Sequence, residues 1–201
     1  MCALAVLVIA SLAGCSEERT SSSVSRDASQ SNRSNAGHQD GLDREGAALM
    51  DLAEGDGSCG TGVKMQDATF KTALATWFND KKFAIKVYGH ISDWDVSRVT
   101  NMRGAFLGRR YFDEDISRWC TDKVRDMSSM FYGATRFNVD LGDWNVSEVR
   151  DMKAMFRLAS SFNKDLTKWC VQKIPSTPDH FDFNAGFEGR VNRQPKWGTC
   201  P

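Results

Sequence analysis

The sequence lacks the charge imbalance that would recruit a polyanion. Lys and Arg together number 26, Asp and Glu together also number 26, and no basic cluster stands out. A chain without a positive field has no electrostatic means of concentrating nucleic acid or an anionic membrane surface around itself. We therefore exclude nucleic acid as a partner and expect no charge-driven membrane binding.

Side chains for catalysis and metal binding are also scarce. The three histidines are His38 in a polar N-terminal tract, then His90 and His180, and neither of the latter two sits in a recognisable triad. His90 is expected to pack where an N-terminal helical segment meets the repeats. No Cys-x-x-Cys motif or Cys/His cluster is present to hold zinc. We expect no enzyme activity, no cofactor and no metal.

Two further patterns are better explained as turns than as ligand sites. The run Asp113, Glu114 and Asp115 could bind calcium, but its spacing does not match an EF-hand loop, which favours a solvated turn. The glycine-rich stretch 55–62 is followed by no Gly-Lys-Ser/Thr and preceded by no strand, so it is not a P-loop.

A repeat of 25 residues occupies the chain from Ile91 to Ile174. Its unit reads F-[ND]-x-D-[IL]-x-x-W-x-x-x-x-V-x-[ND]-M-x-x-x-F. A fixed period of this length indicates a stacked repeat array, in which each copy is too small to bury its own apolar face. The columns that keep this interval are Trp94, Trp119, Trp144 and Trp169; Val99, Val124, Val149 and Ile174; Met102, Met127 and Met152; Phe106, Phe131 and Phe156; Phe112, Phe137 and Phe162; and Ile91, Ile116, Leu141 and Leu166.

The third copy predicts one strand and one helix per repeat. Asp140–Val146 carries the apolar positions of a short strand that would pair in parallel with its neighbours. Met152–Ala159 has apolar residues at helical spacing, and Asp151 stands at the N-cap. Asn101, Asp126 and Ser176 hold the cap position in the other copies. The predicted fold is an α/β solenoid of about four coils, each with a short parallel strand and a short helix.

A column of charged residues precedes the tryptophans. Its members are Asp93, Arg118, Asp143 and Lys168, which we call the charged ridge. One interpretation is a binding ridge for a ligand, with Ser92, Ser117 and Thr167 beside it. The other is a ladder in which neighbouring copies neutralise each other, because the signs alternate from copy to copy.

The repeat resembles that of a known family. The motifs W-D-V-S-R-V-T-N-M at Trp94–Met102 and W-N-V-S-E-V-R-D-M at Trp144–Met152 look like those of BspA-like surface proteins, whose leucine-rich-repeat-like domains are abundant in mycoplasma-type lipoproteins. The segments Thr72–Trp94 and Trp197–Pro201 look like the family's entry and ending. The resemblance covers roughly 70–201 and implies an extracellular, surface-attached repeat protein, with adhesion suggested for some members and no catalytic residues.

The N-terminal region predicts export and lipid anchoring. Ala3 to Ala13 is an apolar run too short to span a bilayer and of the right length for a signal-peptide core. Leu12-Ala13-Gly14-Cys15 resembles a bacterial lipobox, so Cys15 is the predicted lipidation site and membrane anchor. No Lys or Arg precedes the apolar run, which departs from the usual signal. An ordinary secretory signal, giving a secreted protein, is the alternative.

Composition divides the chain into five predicted segments. Residues 1–15 form the signal peptide and 16–54 a disordered serine-rich tether, which has too few apolar side chains to fold. Residues 55–90 form a helical N-terminal cap, 91–174 the repeats and 175–201 a C-terminal cap.

Two helices are predicted in the N-terminal cap. Asp67 is placed at the cap of a helix over 68–78, and a second helix runs from about Lys82 to Tyr88 and ends at Gly89. The core-facing positions of the first helix are Phe70, Ala73, Leu74, Trp77 and Phe78.

Four cysteines follow Cys15, and an even number in an exported chain suggests disulfides. Cys120 and Cys170 fill one column two copies apart, about 9–10 Å by strand spacing, which exceeds the reach of a disulfide. The pattern predicts Cys170–Cys200 and Cys59–Cys120. The rival pairing is Cys59–Cys170 with Cys120–Cys200.

These observations predict a cell-surface, lipid-anchored protein that binds a protein or glycan through the charged ridge. The first alternative is a structural envelope protein or spacer without a ligand. A secreted accessory module of an enzyme is a remoter one.

Overall fold

The computed structural model describes residues 59–201, and it places its only regular helices before the repeats. Helix α1 spans Asp67–Asn79, helix α2 spans Lys81–Tyr88, and a single 3-10 turn covers Ile91–Asp93. The bounds of α1 and α2 lie within one residue of those predicted from the sequence. Within residues 59–201 no helix is long and apolar enough to cross a membrane.

The predicted α/β solenoid of leucine-rich-repeat-like coils is wrong. No strand or sheet forms between residues 59 and 201, and no α-helix forms inside any repeat. Parallel pairing is reduced to isolated bridges between Lys64 and Asp95, between Asn101 and Asp126, and between Asp126 and Asp151. The repeats consist almost entirely of turns.

Three successive turns replace the helix predicted over Met152–Ala159. Met155 N donates to Met152 O at 3.1 Å and Ala159 N donates to Phe156 O at 2.9 Å. These bonds span three residues, whereas an α-helix needs four. Ala154 has a φ of 53° and Leu158 one of 60°. Residues in this left-handed conformation interrupt a right-handed helix.

Asx turns replace the strand predicted over Asp140–Val146. The Asp140 carboxylate accepts a hydrogen bond from Gly142 N at 2.9 Å, and Trp144 N donates to Leu141 O at 3.1 Å. The chain therefore bends where a strand would stay extended. The predicted helix caps are also turn residues: Asp151 Oδ1 accepts from Lys153 N, Asp126 Oδ1 from Ser128 N, and Asn101 Oδ1 from Arg103 N.

Backbone hydrogen bonds between copies explain why the helix does not form. Phe131 N donates to Met155 O and Gly133 N to Arg157 O, each at 2.8 Å. Because alternate N–H groups point to the next copy, they are not available for bonds within a helix. The same rule holds one copy earlier, where the donors Met102, Gly104, Phe106 and Gly108 bond to the carbonyls of Asp126, Ser128, Met130 and Tyr132.

Aromatic rings stack along the repeats in register. The Trp119 ring lies 6.4 Å from those of Trp94 and Trp144, at interplanar angles of 10° and 4°. All four repeat tryptophans are at most 3% exposed. Each donates its indole N–H to a carbonyl of the preceding segment; Trp119 donates to Ile91 O at 2.9 Å. We call residues 91–187, which share this register, the repeat stack.

Edge-on rings close both ends of the aromatic columns. Phe181 and Phe187 continue the 25-residue interval past residue 175, where the sequence predicted a cap. The Phe181 ring stands at 89° to that of Phe156, whereas the Phe131 and Phe156 rings lie at 9°. At the other end, Trp77 of α1 meets Trp94 at 84°. A perpendicular ring covers the face of the last stacked ring without offering a parallel face of its own.

Disulfides fasten both ends of the described part of the chain. Cys59 is bonded to Cys120 and Cys170 to Cys200, which are the predicted pairs, and the rival pairing is absent from residues 59–201. Two glycines let the segment after Cys59 lie directly against the first repeat. A Cβ at Gly60 or Gly62 would come within 2.6 Å of the Asp93 carbonyl oxygen.

Asp67 fastens α1 to the first repeat and does not cap the helix as predicted. The N-cap residue is Gln66, which makes no side-chain cap bond. Asp67 Oδ1 instead accepts Thr100 N at 2.7 Å and Asn101 N at 3.1 Å, and Oδ2 accepts the Thr100 hydroxyl at 2.7 Å. Burial raises the pKa of Asp67, but these hydrogen bonds outweigh it and hold the pKa below its ordinary value.

The lowered pKa of Asp67 predicts acid sensitivity. Such a carboxylate stabilises the fold at every pH above its unfolded-state pKa of about 3.9, and the contribution is lost as pH falls through the folded-state value. We expect the melting temperature to be level from pH 7 to 5 and to fall below about pH 4. Asp67→Asn should melt lower at pH 7 and lose less on acidification, as followed by circular dichroism. An equally steep acid loss in the variant would contradict this role.

Candidate functional site

The predicted lipidation site lies outside the described residues. Cys15, the signal peptide over 1–15, the tether over 16–54 and the first residues of the predicted N-terminal cap all precede residue 59. The anchor and the domain boundaries in this region therefore stay predictions.

The charged ridge is paired within itself. Arg118 Nη2 lies 2.9 Å from Asp93 Oδ1, and Lys168 Nζ lies 2.9 Å from Asp143 Oδ1. The hydrogen bond that Lys168 donates to the Asp143 carboxylate raises the pKa of Lys168. Each pair joins neighbouring copies, which is the arrangement that the ladder interpretation describes.

The hydroxyl residues beside the ridge are engaged in turns. Thr167 bonds Asp165 through both its N–H and its hydroxyl, and Ser117 N bonds Asp115. These hydrogen bonds lower the pKa of both aspartates. A groove of about 540 Å³ lies beside Arg118 and Asp143, but its charged and polar groups already have partners: Arg118 pairs with Asp93, Asp143 with Lys168, and Asn145 donates to Asp122. The charged and polar groups of the ridge are therefore largely occupied by bonds within the protein, which leaves a ligand few groups to bind.

The acidic run at 113–115 does not form a calcium site. Glu114 bonds Lys81 and His90, and Asp115 accepts the Ser117 backbone N–H. In the part of the chain that the structure describes, no group of three or more His, Cys, Asp or Glu side chains could hold a metal ion.

One row of side chains has the order of a catalytic triad. His90 Nδ1 lies 2.8 Å from Ser92 Oγ, and His90 Nε2 lies 3.4 Å from Glu114 Oε2. A hydroxyl, an imidazole and a carboxylate in this order can activate a nucleophile. However, Thr167 bonds Asp165 in the same way two residues apart, and His90 occupies the column of that aspartate. We interpret the row as the first copy's version of a repeated turn.

An open pocket lies where α1 and α2 meet the first repeat. Its volume is about 410 Å³, within the range of about 300–1,000 Å³ that small-molecule sites occupy. We call it the junction pocket and define it by Trp77, Phe78, Lys81, Arg109, Arg110 and Tyr111.

The helices fix one wall of the junction pocket. Trp77 and Phe78 lie in the last turn of α1, and their rings contact the repeat stack edge-on. The ring centres of Trp77 and Trp94 are 5.8 Å apart, and those of Phe78 and Phe112 are 6.1 Å apart. Lys81 begins α2, with its ammonium 4.8 Å from the centre of the Trp77 ring. Packing and electrostatic attraction thus hold this wall in place before any ligand arrives.

The first repeat supplies the other wall. The Arg109 guanidinium lies over Phe78, 4.0 Å from the ring centre. Tyr111 is 78% exposed. The side chain of Arg110 forms no ion pair with any residue between 59 and 201, although its backbone carbonyl accepts bonds from Arg136 and Thr135. The pocket therefore combines exposed aromatic surface with a free cation.

Sequence reasoning missed the junction pocket, although a signal was present. Arg109 stands in a column where the next two copies have Ala134 and Ala159, both fully buried. A large cation replacing a small apolar residue breaks the repeat pattern, which indicates that something other than repeat packing determines this position. The partner, Phe78, could not be found from the sequence because it comes from a helix outside the repeat.

The geometry defines a class of protein: a disulfide-fastened stack of 25-residue turn repeats that begins with two helices and carries a surface pocket at their junction. A family model described as "Mycoplasma protein of unknown function, DUF285" matches residues 72–194, which is more than half of the chain. The chain therefore belongs to this family. No curated protein matched the chain, and no solved structure matched it.

Proposed function

We propose that this protein is a surface-exposed binding protein that attaches to an extracellular protein or glycan through the junction pocket. The observation that carries the proposal is that the pocket presents an exposed aromatic ring and an arginine without an ion-pair partner in the described residues. Tyr111 is 78% exposed, and Arg110 has no ion-pair partner among residues 59–201. The charged ridge, by contrast, is paired within itself.

Two lines of support favour an exposed, anchored location. Disulfides persist in oxidising compartments, and residues 59–201 contain two of them. The repeat motif resembles that of BspA-like surface proteins, and the sequence before the folded part resembles a lipoprotein signal with Cys15 as the anchor. A tether between such an anchor and the repeats would hold the junction pocket clear of the membrane.

Binding is favoured over catalysis because the pocket offers recognition groups and no activated nucleophile. Its aromatic rings give apolar contact area, and its cations give directional hydrogen-bond donors. The Ser92–His90–Glu114 row is accounted for by the turn that the other copies also form.

The experiment compares two variants of the full chain displayed on cells. Attachment is scored on plates coated with mixed serum glycoproteins, with and without periodate oxidation of the glycans. We expect Tyr111→Ala combined with Arg110→Gln to reduce attachment at least tenfold. The charge reversal Arg118→Glu with Lys168→Glu should leave attachment within about twofold, since exposed pairs of this kind contribute little.

Each outcome separates the candidates. Loss of attachment in the pocket variant alone supports the proposal, and the periodate arm then separates a glycan from a protein partner. Loss of attachment in the ridge variant alone would place the binding site at the charged ridge. Full attachment of both variants, or none by the unaltered protein, would favour a structural spacer without a ligand.

A further inference from the structure

We propose that the junction pocket recognises an acidic sugar, meaning a pyranose that carries a carboxylate. This inference rests on the proposed binding function and specifies the ligand of the same pocket. It is argued from the charge, the aromatic surface and the dimensions of that pocket.

The pocket has more positive charge than its own residues neutralise. Lys81, Arg109 and Arg110 line it, and the one carboxylate among the lining residues belongs to Glu114. Glu114 is already bonded to Lys81 and, through its other oxygen, to His90. Two guanidinium groups therefore remain without a carboxylate partner inside the pocket, which selects for an anionic ligand.

Arg109 is held at a position suited to binding a carboxylate. The central carbon of its guanidinium lies over Phe78, 4.0 Å from the ring centre. This contact holds the group without neutralising it. The guanidinium forms no ion pair with any residue between 59 and 201, and its planar N–H donors can give a carboxylate two parallel hydrogen bonds.

Tyr111 supplies the surface against which a sugar ring packs. Its side chain is 78% exposed, so its ring is available to a ligand, and its hydroxyl can bond a neighbouring polar group. The C–H face of a pyranose is apolar while its rim carries hydroxyl groups. That combination matches an aromatic ring flanked by hydrogen-bond donors better than a wholly apolar ligand does.

The dimensions favour a sugar residue over a folded protein surface. A volume of about 410 Å³ is that of a small-molecule site, whereas a stable protein interface buries about 800 Å² on each partner. The pocket is open to solvent, so it can take one sugar of a longer glycan.

The test measures binding of glucuronic acid, glucose and glucose 6-sulfate to the full chain by ligand-observed NMR. We expect glucuronic acid to bind at least tenfold more tightly than glucose at low salt, and the difference to shrink as salt screens the exposed cations. Arg109→Gln and Arg110→Gln should each reduce the preference for the acid, and Tyr111→Ala should weaken binding of glucuronic acid and of glucose.

The matched control is Arg136→Gln. Arg136 is exposed, lies in the same column as Tyr111 one copy later, and does not line the pocket. It should leave both affinities unchanged. Equal binding of the two sugars, tighter binding of glucose 6-sulfate than of glucuronic acid, or equal losses in Arg136→Gln and Arg110→Gln would each overturn the inference.

The outcome is separable from that of the proposed function. If attachment of cells depends on Tyr111 and Arg110 but excess glucuronic acid does not compete with it, the binding function holds and the acidic-sugar assignment fails. If attachment depends on neither residue, the proposed function itself fails.

Discussion

Replacing Trp119 with alanine is expected to lower the free energy of unfolding by about 3–5 kcal/mol. The Trp119 ring is 3% exposed and lies between those of Trp94 and Trp144 at 6.4 Å from each. Its removal leaves a cavity inside a column whose rings cannot close together, because the backbone ladder fixes the spacing of the copies. Chemical unfolding followed by tryptophan fluorescence measures the loss, which should also lower the melting temperature by about 10 °C.

Two controls separate the ring from its hydrogen bond. Trp119→Phe keeps an aromatic ring in the column but removes the indole hydrogen bond to the Ile91 carbonyl, which then keeps only the longer bond from Trp94 N at 3.4 Å, so the lost bond should cost about 0.5–1.5 kcal/mol. Tyr111→Ala, at the exposed ring of the junction pocket, should stay within about 0.5 kcal/mol. A Trp119→Ala variant as stable as Tyr111→Ala would show that the stacked column contributes little to the fold.

Removing the Cys59–Cys120 disulfide is expected to cost about 4 kcal/mol, the entropy of closing a loop between residues 61 apart. The Cys170–Cys200 bond closes a shorter loop, with a separation of 30, and should cost about half a kcal/mol less. The double variants Cys59→Ser/Cys120→Ser and Cys170→Ser/Cys200→Ser should each unfold at lower denaturant than the unaltered protein.

Reduction provides the matched control. Dithiothreitol should destabilise the unaltered protein by more than it destabilises either double variant, and it should leave a variant lacking all four cysteines unchanged. If reduction of the unaltered protein does not move the unfolding midpoint, the disulfides do not contribute to stability, and the argument from loop closure fails.

The repeat period predicted contacts well because it needs no knowledge of secondary structure. A column 25 residues apart becomes a column in space whether the chain between is helix or turn. This is why register alone predicted the stacking of Trp94, Trp119 and Trp144 and excluded a Cys120–Cys170 disulfide, although it left two pairings of the four cysteines open. The 25-residue period also continues to Phe181 and Phe187, although the sequence analysis assigned these residues to the C-terminal cap.

The local structure was mispredicted because turns imitate helical spacing. Met152, Met155 and Phe156 lie three and four residues apart, which a helix and a series of three-residue turns satisfy equally. Gly104 and Gly108 held the better clue, since each has a positive φ and two glycines in one short helix are unfavourable. The equivalent positions in the third copy are Ala154 and Leu158, which also have a positive φ. Because neither is glycine, the sequence of this copy gives no sign of that conformation.

The strand was mispredicted for a related reason. Asp140, Asp115 and Asp165 each stand two residues before the backbone N–H that they bond. An aspartate at this position competes with extended structure. The segment nevertheless predicts a strand, because the apolar residues Leu141 and Trp144 dominate its pattern.

The ladder of hydrogen bonds between copies also limits how the gene can change in length. Many of these bonds join a donor to a carbonyl 24 residues further along, as from Phe131 to Met155, and in the last layer the offset is 25 residues, as from Phe156 to Phe181. Duplicating one whole unit would preserve every such link and add another layer. A longer insertion inside a turn would bring the wrong partners opposite each other, so a change of length by whole repeats disturbs the stack least.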